Sequence, residues 1–438
     1  MRTSGVVMPI FSLPSDFGIG TLGRDACDFI DFLAAADVHV WEIMPICHTD
    51  SSFSPHNALC ARAGNPLLID LQPFVDQGVF SSRELSRMDW GRDRAKISYS
   101  KVAAAKYKAL EMVFDALGFL SDSSFDRFRE DNQDWLENYA LFAAIYEQFQ
   151  YLPLPLWGDG VARRSHAELD RLRIRLDRRI RFYEYLQYLF YGQWGQLRRY
   201  AAQKGVRLMG SMTFELPETS VELWTDPAAN DVSFRDAFAD RWKQRLAWSR
   251  RLYDITKVYR RVDGEEVFAF YEPTWVTADD FCETLLQIGR ASAGDLAAAG
   301  RYTHAFQKGF GERAAARHLP HWYDRTAIAY VGTCSDDTIR GWIKTLDKAT
   351  AQDVNEYIGT ALPRDQAWSV LRTMWLSQAA IVLSPVQDFL ELGSSSRLSG
   401  FENPADNWTW RLRRGSLTNR LAQRIARMNR LFDRGGRQ

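Results

Sequence analysis

The chain has 438 residues, more than the roughly 100–200 of an ordinary domain, so it forms either one large α/β barrel with insertions or two to three domains. Lysine plus arginine equals aspartate plus glutamate at 55 each, which leaves no global positive field to attract nucleic acid or anionic lipid. Five scattered cysteines without CxxC spacing indicate reduced thiols, and no stretch reaches about 18 apolar residues. We therefore expect a cytoplasmic protein that binds neither nucleic acid nor membrane and has no metal or cofactor.

The chain opens with two strand-like runs separated by a helical pattern. Residues 4–13 (SGVVMPIFSL) and 37–46 (DVHVWEIMPI) are apolar runs typical of strands. Between them, residues 23–36 place Phe29 and Leu33 on one face at helical spacing. This order predicts a βαβ unit with parallel strands, and therefore an α/β fold.

The next part of the chain is rich in helical patterns and poor in strand patterns. Residues 100–117, 131–149 and 179–205 are periodic segments that follow one another without an intervening strand. We expect residues 75–200 to form a mainly helical insertion subdomain.

Strand candidates return in the second half of the chain. They are 206–214, 252–259, 325–333 and 379–388, and each is preceded by a helix-like segment. Repeated alternation of strands and helices predicts a TIM (β/α)8 barrel with helical insertions, one unit over residues 1–438. The basic tail 417–438 carries one apolar stripe, which favours a docked helix over a nucleic-acid arm.

Several stretches match the sequence motifs of a known family and follow one another in the same order. They include RTSGVVMPIFSLPSDFGIGTLG (2–23), WEIMPI (41–46), AGNPLLIDL (63–71), HLPHWY (318–323), QDFLELGSSSRL (387–398) and NWTWR (407–411). With these motifs the chain resembles the 4-α-glucanotransferases of the amylomaltase family, relatives of the α-amylases, over nearly its whole length.

The resemblance implies a reaction and three catalytic carboxylates. The implied reaction is retaining transfer of an α-1,4-glucan segment through a covalent glycosyl-enzyme. It uses an aspartate nucleophile, a glutamate acid/base and a stabilising aspartate at the carboxyl ends of barrel strands. Retention requires a nucleophile and a proton donor about 5–5.5 Å apart on opposite sides of the scissile bond.

All three of these positions lack their acid in this sequence. Tyr259, in YDITKVYRRVDG, stands at the nucleophile's place, and Ser335, in GTCSDDT, stands at the stabiliser's place. The best counterpart of the acid/base is Gly294, in SAGDLAAAG. The framework motifs are kept, whereas the acids are lost.

Nine residues near these positions are candidates for substrate contact. His56 stands where the family has a sugar-facing tyrosine, Ser211 where it has an aspartate, and Lys257 where it has an arginine. Trp224 is a candidate for stacking on a pyranose face. The full set is His56, Asn65, Ser211, Trp224, Lys257, Arg260, Cys334, Asp336 and Asp337.

Three replacement chemistries stay open on the sequence. Tyr259 could serve as nucleophile if a base activated its phenol, whose ordinary pKa is about 10. Asp336 could act from one position along, although a shift of one residue redirects a side chain. Cys334 could be a nucleophile beside His318 or His321, whereas an inert buried thiol is the commoner outcome.

The leading functional hypothesis is an amylomaltase-like protein of α-glucan metabolism that is catalytically inactive. It would bind maltodextrin or another α-glucan, or regulate a protein partner. One alternative is an active 4-α-glucanotransferase with displaced carboxylates. The other is a scaffold whose cleft has closed.

Overall fold

The computed structural model describes residues 2–118, 123–228, 235–262, 265–290, 304–311 and 316–435. Its strands form one sheet in the order β5-β4-β3-β2-β1-β8-β7-β6. Their bounds are Thr3–Val7 (β1), Val40–Glu42 (β2), Arg207–Thr213 (β3), Ile255–Val262 (β4), Glu265–Tyr271 (β5), His304–Ala305 (β6), Ile328–Tyr330 (β7) and Ile381–Pro385 (β8). Because β1 pairs in parallel with both β2 and β8, the first and last strands are neighbours, as in a (β/α)8 barrel. The predicted barrel fold is confirmed.

Helices surround this sheet. Within the described residues the α-helices are Arg24–Ala35 (α1), Gln72–Asp76 (α2), Ser82–Ser86 (α3), Tyr99–Leu117 (α4), Ser123–Asp131 (α5), Gln133–Gln148 (α6), Asp159–Ala162 (α7), His166–Gln203 (α8), Val221–Thr225 (α9), Arg235–Leu252 (α10), Ala278–Arg290 (α11), Ile339–Thr345 (α12), Lys348–Ile358 (α13), Gln366–Leu376 (α14), Val386–Phe389 (α15) and Asn419–Leu431 (α16). Short 3-10 helices include Pro66–Leu68, Phe306–Gly309, Pro320–Trp322 and Ser394–Ser396. In the part of the chain that the structure describes, none of the helices is long and apolar enough to cross a bilayer.

The opening βαβ unit forms as the pattern predicts. Helix α1 buries Ala26, Phe29, Ile30 and Leu33, which recur at the spacing of one helical face. Gly5 in β1 allows the strands to pack closely, because a Cβ atom there would lie 2.4 Å from the Leu383 side chain. This close approach sets β1 against its neighbours at the centre of the barrel wall.

Strand β5 departs from the predicted alternation. It runs antiparallel to β4, with Val262 opposite Glu265, whereas a regular (β/α)8 barrel has parallel strands. The two residues between that pair in the sequence are Asp263 and Gly264, a dipeptide typical of two-residue hairpins. The expectation of a helix before every strand is therefore corrected at β5.

Alternate residues of the strands line the inside of the barrel. Val40, Met209, Ile255 and Leu383 belong to one buried cluster, together with Val7, Ile328, Tyr330 and Ile381. Since side chains alternate between the two faces of a strand, Glu42, Lys257 and Tyr259 lie on the same interior side. The interior of this barrel thus holds a charged layer above an apolar one.

Between β2 and β3 the chain runs through helices α2 to α8. Helix α8 packs on α6, and both contribute to a buried core that continues into the barrel helices. That residues 75–200 behave as a subdomain stays a prediction, because this core is shared.

A second apolar core lies on one side of the barrel. It contains Phe238, Trp242 and Leu246 of α10, Val258 of β4, Ala269 and Tyr271 of β5, and Phe281, Cys282, Leu285, Leu286 and Ile288 of α11. Phe214, just after β3, joins the same cluster. The segment from α10 to α11 therefore packs largely on itself.

Candidate functional site

An aromatic cluster occupies the place that the resemblance gives to the nucleophile. Tyr259 is half-buried near the end of β4, and its ring centroid lies 5.1 Å from that of His56 and 5.6 Å from that of Phe268. Trp408 meets His56 edge-on at 5.3 Å. Phe268 is positioned by the hairpin, because it lies directly opposite Tyr259 in the β4–β5 register. These four rings, which we call the mouth cluster, fill one side of the barrel mouth.

A buried ion pair lies below the mouth cluster. The Lys257 ammonium contacts the Glu42 carboxylate, with the side chains only 4% and 1% exposed. The Tyr330 hydroxyl donates to the other Glu42 oxygen at 2.6 Å, and the ammonium lies 4.6 Å from the Phe268 ring centroid. The one carboxylate inside the described barrel strands near Tyr259 is therefore bound on both oxygens.

The turn after β7 uses Asp336 to hold its own backbone. The Asp336 carboxylate accepts hydrogen bonds from the Thr333 amide at 2.7 Å and the Thr333 hydroxyl at 2.9 Å. Ser335, at the stabiliser's place, is exposed, and its amide donates to the Thr333 hydroxyl. The retained turn geometry thus comes with Asp336 engaged as an internal acceptor.

Asp337 and Asp388 form a second pair of acids beside this turn. Asp337 accepts a hydrogen bond from the Ser394 hydroxyl at 2.6 Å and from the Thr338 amide at 2.7 Å. Asp388 accepts from the Ile339 amide at 2.8 Å and caps α12. Burial raises the pKa of the Asp388 carboxyl to about 7, the Ile339 bond opposes this rise, and the charge of Asp337 adds to it. Asp388 is therefore largely protonated below neutral pH.

The remaining positions of the turn do not assemble a cysteine nucleophile. Cys334 is buried, and its carbonyl accepts from the Ser399 hydroxyl at 2.8 Å. The His318 ring accepts from the Ala305 amide, and His321 hydrogen-bonds the Tyr357 hydroxyl at 2.8 Å. These contacts give each histidine a structural role.

Gly294, at the acid/base place, lies outside the described residues. The chain before it forms helix α11, whereas the catalytic carboxylates of such barrels follow strands.

Two of the candidate contact residues point away from the mouth. Trp224 is 2% exposed, and its indole donates to the Val161 carbonyl among packed aromatic rings. The expectation that Trp224 stacks on a sugar is corrected by this burial. Arg260 follows Tyr259 and so faces outward, where its guanidinium donates to the Ile288 carbonyl and lies 3.6 Å from Glu215.

Two further candidates serve the framework. The Asn65 side chain accepts from the Leu67 amide and caps the 3-10 helix Pro66–Leu68. Ser211 is buried on β3, in register with Lys257, and its hydroxyl has no hydrogen-bond partner among the described residues. Of the nine candidates, His56 is the one that the structure brings against Tyr259.

Sequence reasoning missed Glu42 and Phe268. The signal for Glu42 was a lone acid in an apolar strand, at the glutamine position of the family's WQ-x-LP motif. The signal for Phe268 was the Asp263-Gly264 dipeptide ahead of the apolar run VFAFY. Both residues change the chemistry of the mouth, since they neutralise Lys257 and cover Tyr259.

Comparison with protein families gives a match in two pieces. The model of the 4-alpha-glucanotransferase family matches residues 8–235 and 289–418. The unmatched interval, 236–288, holds most of α10, all of β4 and β5, and most of α11. It coincides with the segment that carries the second apolar core and Tyr259.

Individual relatives match along the whole chain. The 4-alpha-glucanotransferase of Clostridium butyricum is 29% identical over 98% of this chain and 100% of its own length. That of Thermus thermophilus is 28% identical over 98% of both chains. Among solved structures, an amylomaltase from Streptococcus agalactiae in complex with acarbose superposes with a TM-score of 0.87 at 25% identity, covering both chains fully. An amylomaltase from Corynebacterium glutamicum, at 14% identity and a TM-score of 0.65, shares the fold.

Proposed function

Because this chain belongs to the 4-alpha-glucanotransferase family, we propose that it binds α-1,4-glucans at its barrel mouth without catalysing the family's carboxylate-dependent transfer. The observation that supports the proposal is the packing of the Tyr259 ring, which the resemblance places at the nucleophile's position, between His56 and Phe268. A phenol there offers an aromatic face to a sugar, and it is not one of the carboxylates that retaining transfer uses.

The charges near the mouth support the inactive form of the proposal. Retaining transfer needs two opposed carboxylates, one ionised and one protonated. Glu42 is bound by Lys257 and Tyr330, and Asp336 is bound by its own turn. Both oxygens of Glu42 are therefore engaged, and Oδ2 of Asp336 is engaged by Thr333 within its own turn.

The mouth cluster supports the binding part of the proposal. His56, Tyr259 and Trp408 come from three different parts of the chain and meet at one place. His56 and Tyr259 are partly exposed, and aromatic rings with polar edges are well suited to pyranose faces.

A disproportionation assay with maltotriose tests the lack of turnover. We expect no glucose release and no longer maltodextrins, even with overnight incubation at high protein concentration. The Tyr259→Phe and Asp336→Asn variants should behave identically to the parent chain. If the parent chain forms products and either variant does not, the proposal is contradicted.

The second candidate function is an active transferase, which the names of the relatives favour. A specific observation also favours it, because Asp388 carries a proton near neutral pH beside Asp337. A carboxyl group that holds its proton near neutral pH is what the general acid of such a mechanism requires. In that case maltotriose would be consumed, and Asp388→Asn would abolish turnover while Tyr259→Phe would leave it intact.

Calorimetry with maltoheptaose separates glucan binding from a scaffold with a closed cleft. We expect saturable heat on titration with maltoheptaose. The His56→Ala and Trp408→Ala variants should each bind it with about tenfold lower affinity. The absence of heat from a folded chain would favour a scaffold that acts through a protein partner. We place either role in the cytoplasm, on the ground that none of the five cysteines is joined in a disulfide.

A further inference from the structure

A cavity of about 170 Å³ lies outside the barrel wall, between α9, α10 and the loop at Ala61 and Arg62. That volume is about six times the ~30 Å³ that a water molecule occupies in the liquid. The cavity adjoins a second one, of about 20 Å³, that reaches His56 and shares Arg245 and Trp248 with it. Its position is separate from the mouth cluster, on the outer side of β3.

Arg245 forms one side of the cavity and has donors to spare. Its guanidinium donates to the Thr213 carbonyl at 2.8 Å and weakly to that of Phe214 at 3.4 Å, where β3 ends. Its Nε atom is buried and has no partner among the described residues. Burial lowers the pKa of the Arg245 guanidinium to about 10, and the charge of Glu222 offsets part of that cost.

Glu222, on α9, forms the opposite side. One carboxylate oxygen accepts from the Ala61 amide at 2.7 Å, whereas the other is buried and has no partner among the described residues. Glu222 and Arg245 therefore act on each other at a distance, each with one hydrogen-bonding position unfilled.

Two more unfilled donors lie on the same wall. The Trp248 indole nitrogen and Nη1 of Arg241 are buried without a partner among the described residues. Asp226 already neutralises Arg241 at 3.0 Å, and Asp134 contacts Arg62. The charges around the cavity are thus balanced, with donors on one side and an acceptor on the other.

From this arrangement we propose that the cavity between Glu222 and Arg245 binds a neutral polyol of about the size of a hexose. A hydroxyl group donates and accepts at once, so it satisfies the carboxylate and the guanidinium together. A phosphate or carboxylate ligand would be attracted by Arg245 but repelled by Glu222. An ammonium ligand would be attracted by Glu222 but repelled by Arg245.

Isothermal titration of the full chain with glucose tests the site. We expect saturable binding that Glu222→Gln weakens about tenfold, because the variant replaces the free acceptor with a donor and keeps the bond to Ala61. Trp248→Phe removes one indole donor and should weaken binding several-fold.

Trp368→Phe is the matched control. Trp368 is as buried as Trp248 at 8% exposure, also has an unpartnered indole nitrogen, and also lies under an arginine, Arg424. Its replacement should leave the glucose affinity unchanged. An equal loss in both tryptophan variants would assign the effect to general destabilisation and overturn the proposal.

The remaining outcomes decide the chemistry of the ligand. No heat with glucose up to tens of millimolar, or tighter binding of glucose 1-phosphate than of glucose, would overturn a neutral-polyol site. The proposal does not depend on glucan binding at the mouth, since the two sites are tested separately. His56→Ala tests the mouth with maltoheptaose, and Glu222→Gln should leave maltoheptaose binding intact.

Discussion

Asp388 shows how a single residue beside the turn after β7 ties stability to pH. Its carboxyl group is 1% exposed, and its pKa is raised from 3.8 to about 7, first by burial and then by the charge of Asp337. The unfolded chain releases the carboxyl proton near pH 4, whereas the folded chain keeps it on Asp388 up to about pH 7. Since the folded state binds more protons in that window, stability falls as pH rises through it.

We expect Asp388→Asn to remove this pH dependence. The asparagine side chain keeps an acceptor for the Ile339 backbone amide and cannot ionise. The free energy of unfolding of the variant should therefore rise relative to that of the parent chain as pH rises from 4 to 8. The gain is at most about 4 kcal/mol, the value of three pKa units. Urea denaturation at several pH values measures it.

The control for this experiment is Ser394→Ala, which removes the hydroxyl bond to Asp337 at 2.6 Å without changing any charge. This substitution should change the free energy of unfolding by a similar amount at every pH. Parallel stability curves for Asp388→Asn and the parent chain would show that Asp388 ionises normally.

At the scale of the elements, the Glu42–Lys257 pair joins strands β2 and β4, and Tyr330 extends it to β7. Both charges are removed from water, so each depends on the other for compensation. The pair stands where the barrel interior changes from apolar to polar. It fixes the register of three strands at that level.

We expect Lys257→Met alone to destabilise the chain by about 3–5 kcal/mol, because Glu42 is left buried and unpaired. Glu42→Gln alone should also destabilise it, and the double variant should recover much of the loss. Chemical denaturation of the parent chain, the two single variants and the double variant gives the coupling energy between Glu42 and Lys257. Asp28→Asn, which breaks the exposed pair with Arg24, should cost at most about 0.5 kcal/mol.

Most elements of this barrel could be predicted from the sequence, since their apolar patterns are local. The opening βαβ unit, the helices of residues 100–205 and strands β3, β4, β7 and β8 fall where their periodicity indicates. Strand β5 was missed because its run VFAFY follows β4 without a helix between them. The ion pair was beyond prediction, because Glu42 and Lys257 are 215 residues apart and are brought together only by the pairing of β2, β3 and β4 in the sheet.

The candidate site was predictable where it depends on motifs and unpredictable where it depends on packing. The resemblance implies that Tyr259 stands at the nucleophile's position and His56 at that of a sugar-facing tyrosine, and the structure brings their rings together. It could not indicate that Trp224 is enclosed by other aromatic rings. Burial of that kind follows from the helical region as a whole.

At the scale of the whole molecule, the C-terminus closes the amino end of the barrel. The buried Arg434 guanidinium donates to the carbonyls of Thr3, Trp375, Ser377 and Ala379. Asn429 on α16 donates to Ala36 and Asp37 after α1. The last described residues therefore tie together the first strand, the first helix and the segment before the last strand.

We expect Arg434→Ala to lower the free energy of unfolding by about 3 kcal/mol or more, because it leaves several buried carbonyls without a donor. Differential scanning calorimetry should show one transition at a lower temperature. Arg427→Ala, on the exposed face of α16, should stay within about 0.5 kcal/mol of the parent. Equal effects of the two substitutions would contradict this role of Arg434.

The apolar core shared by α10, β4, β5 and α11 determines what a carboxylate introduced at position 259 would contact. Its apolar residues face one another across residues 236–288, the interval that the family model leaves out. An aspartate placed at position 259 would lie between His56 and Phe268, above a lysine that is already paired with Glu42. An open pocket around such an aspartate therefore requires exchange of the whole interval 236–288 for that of a relative, and the two junctions of the chimera would lie in α10 and α11, outside the hydrogen-bonded strands.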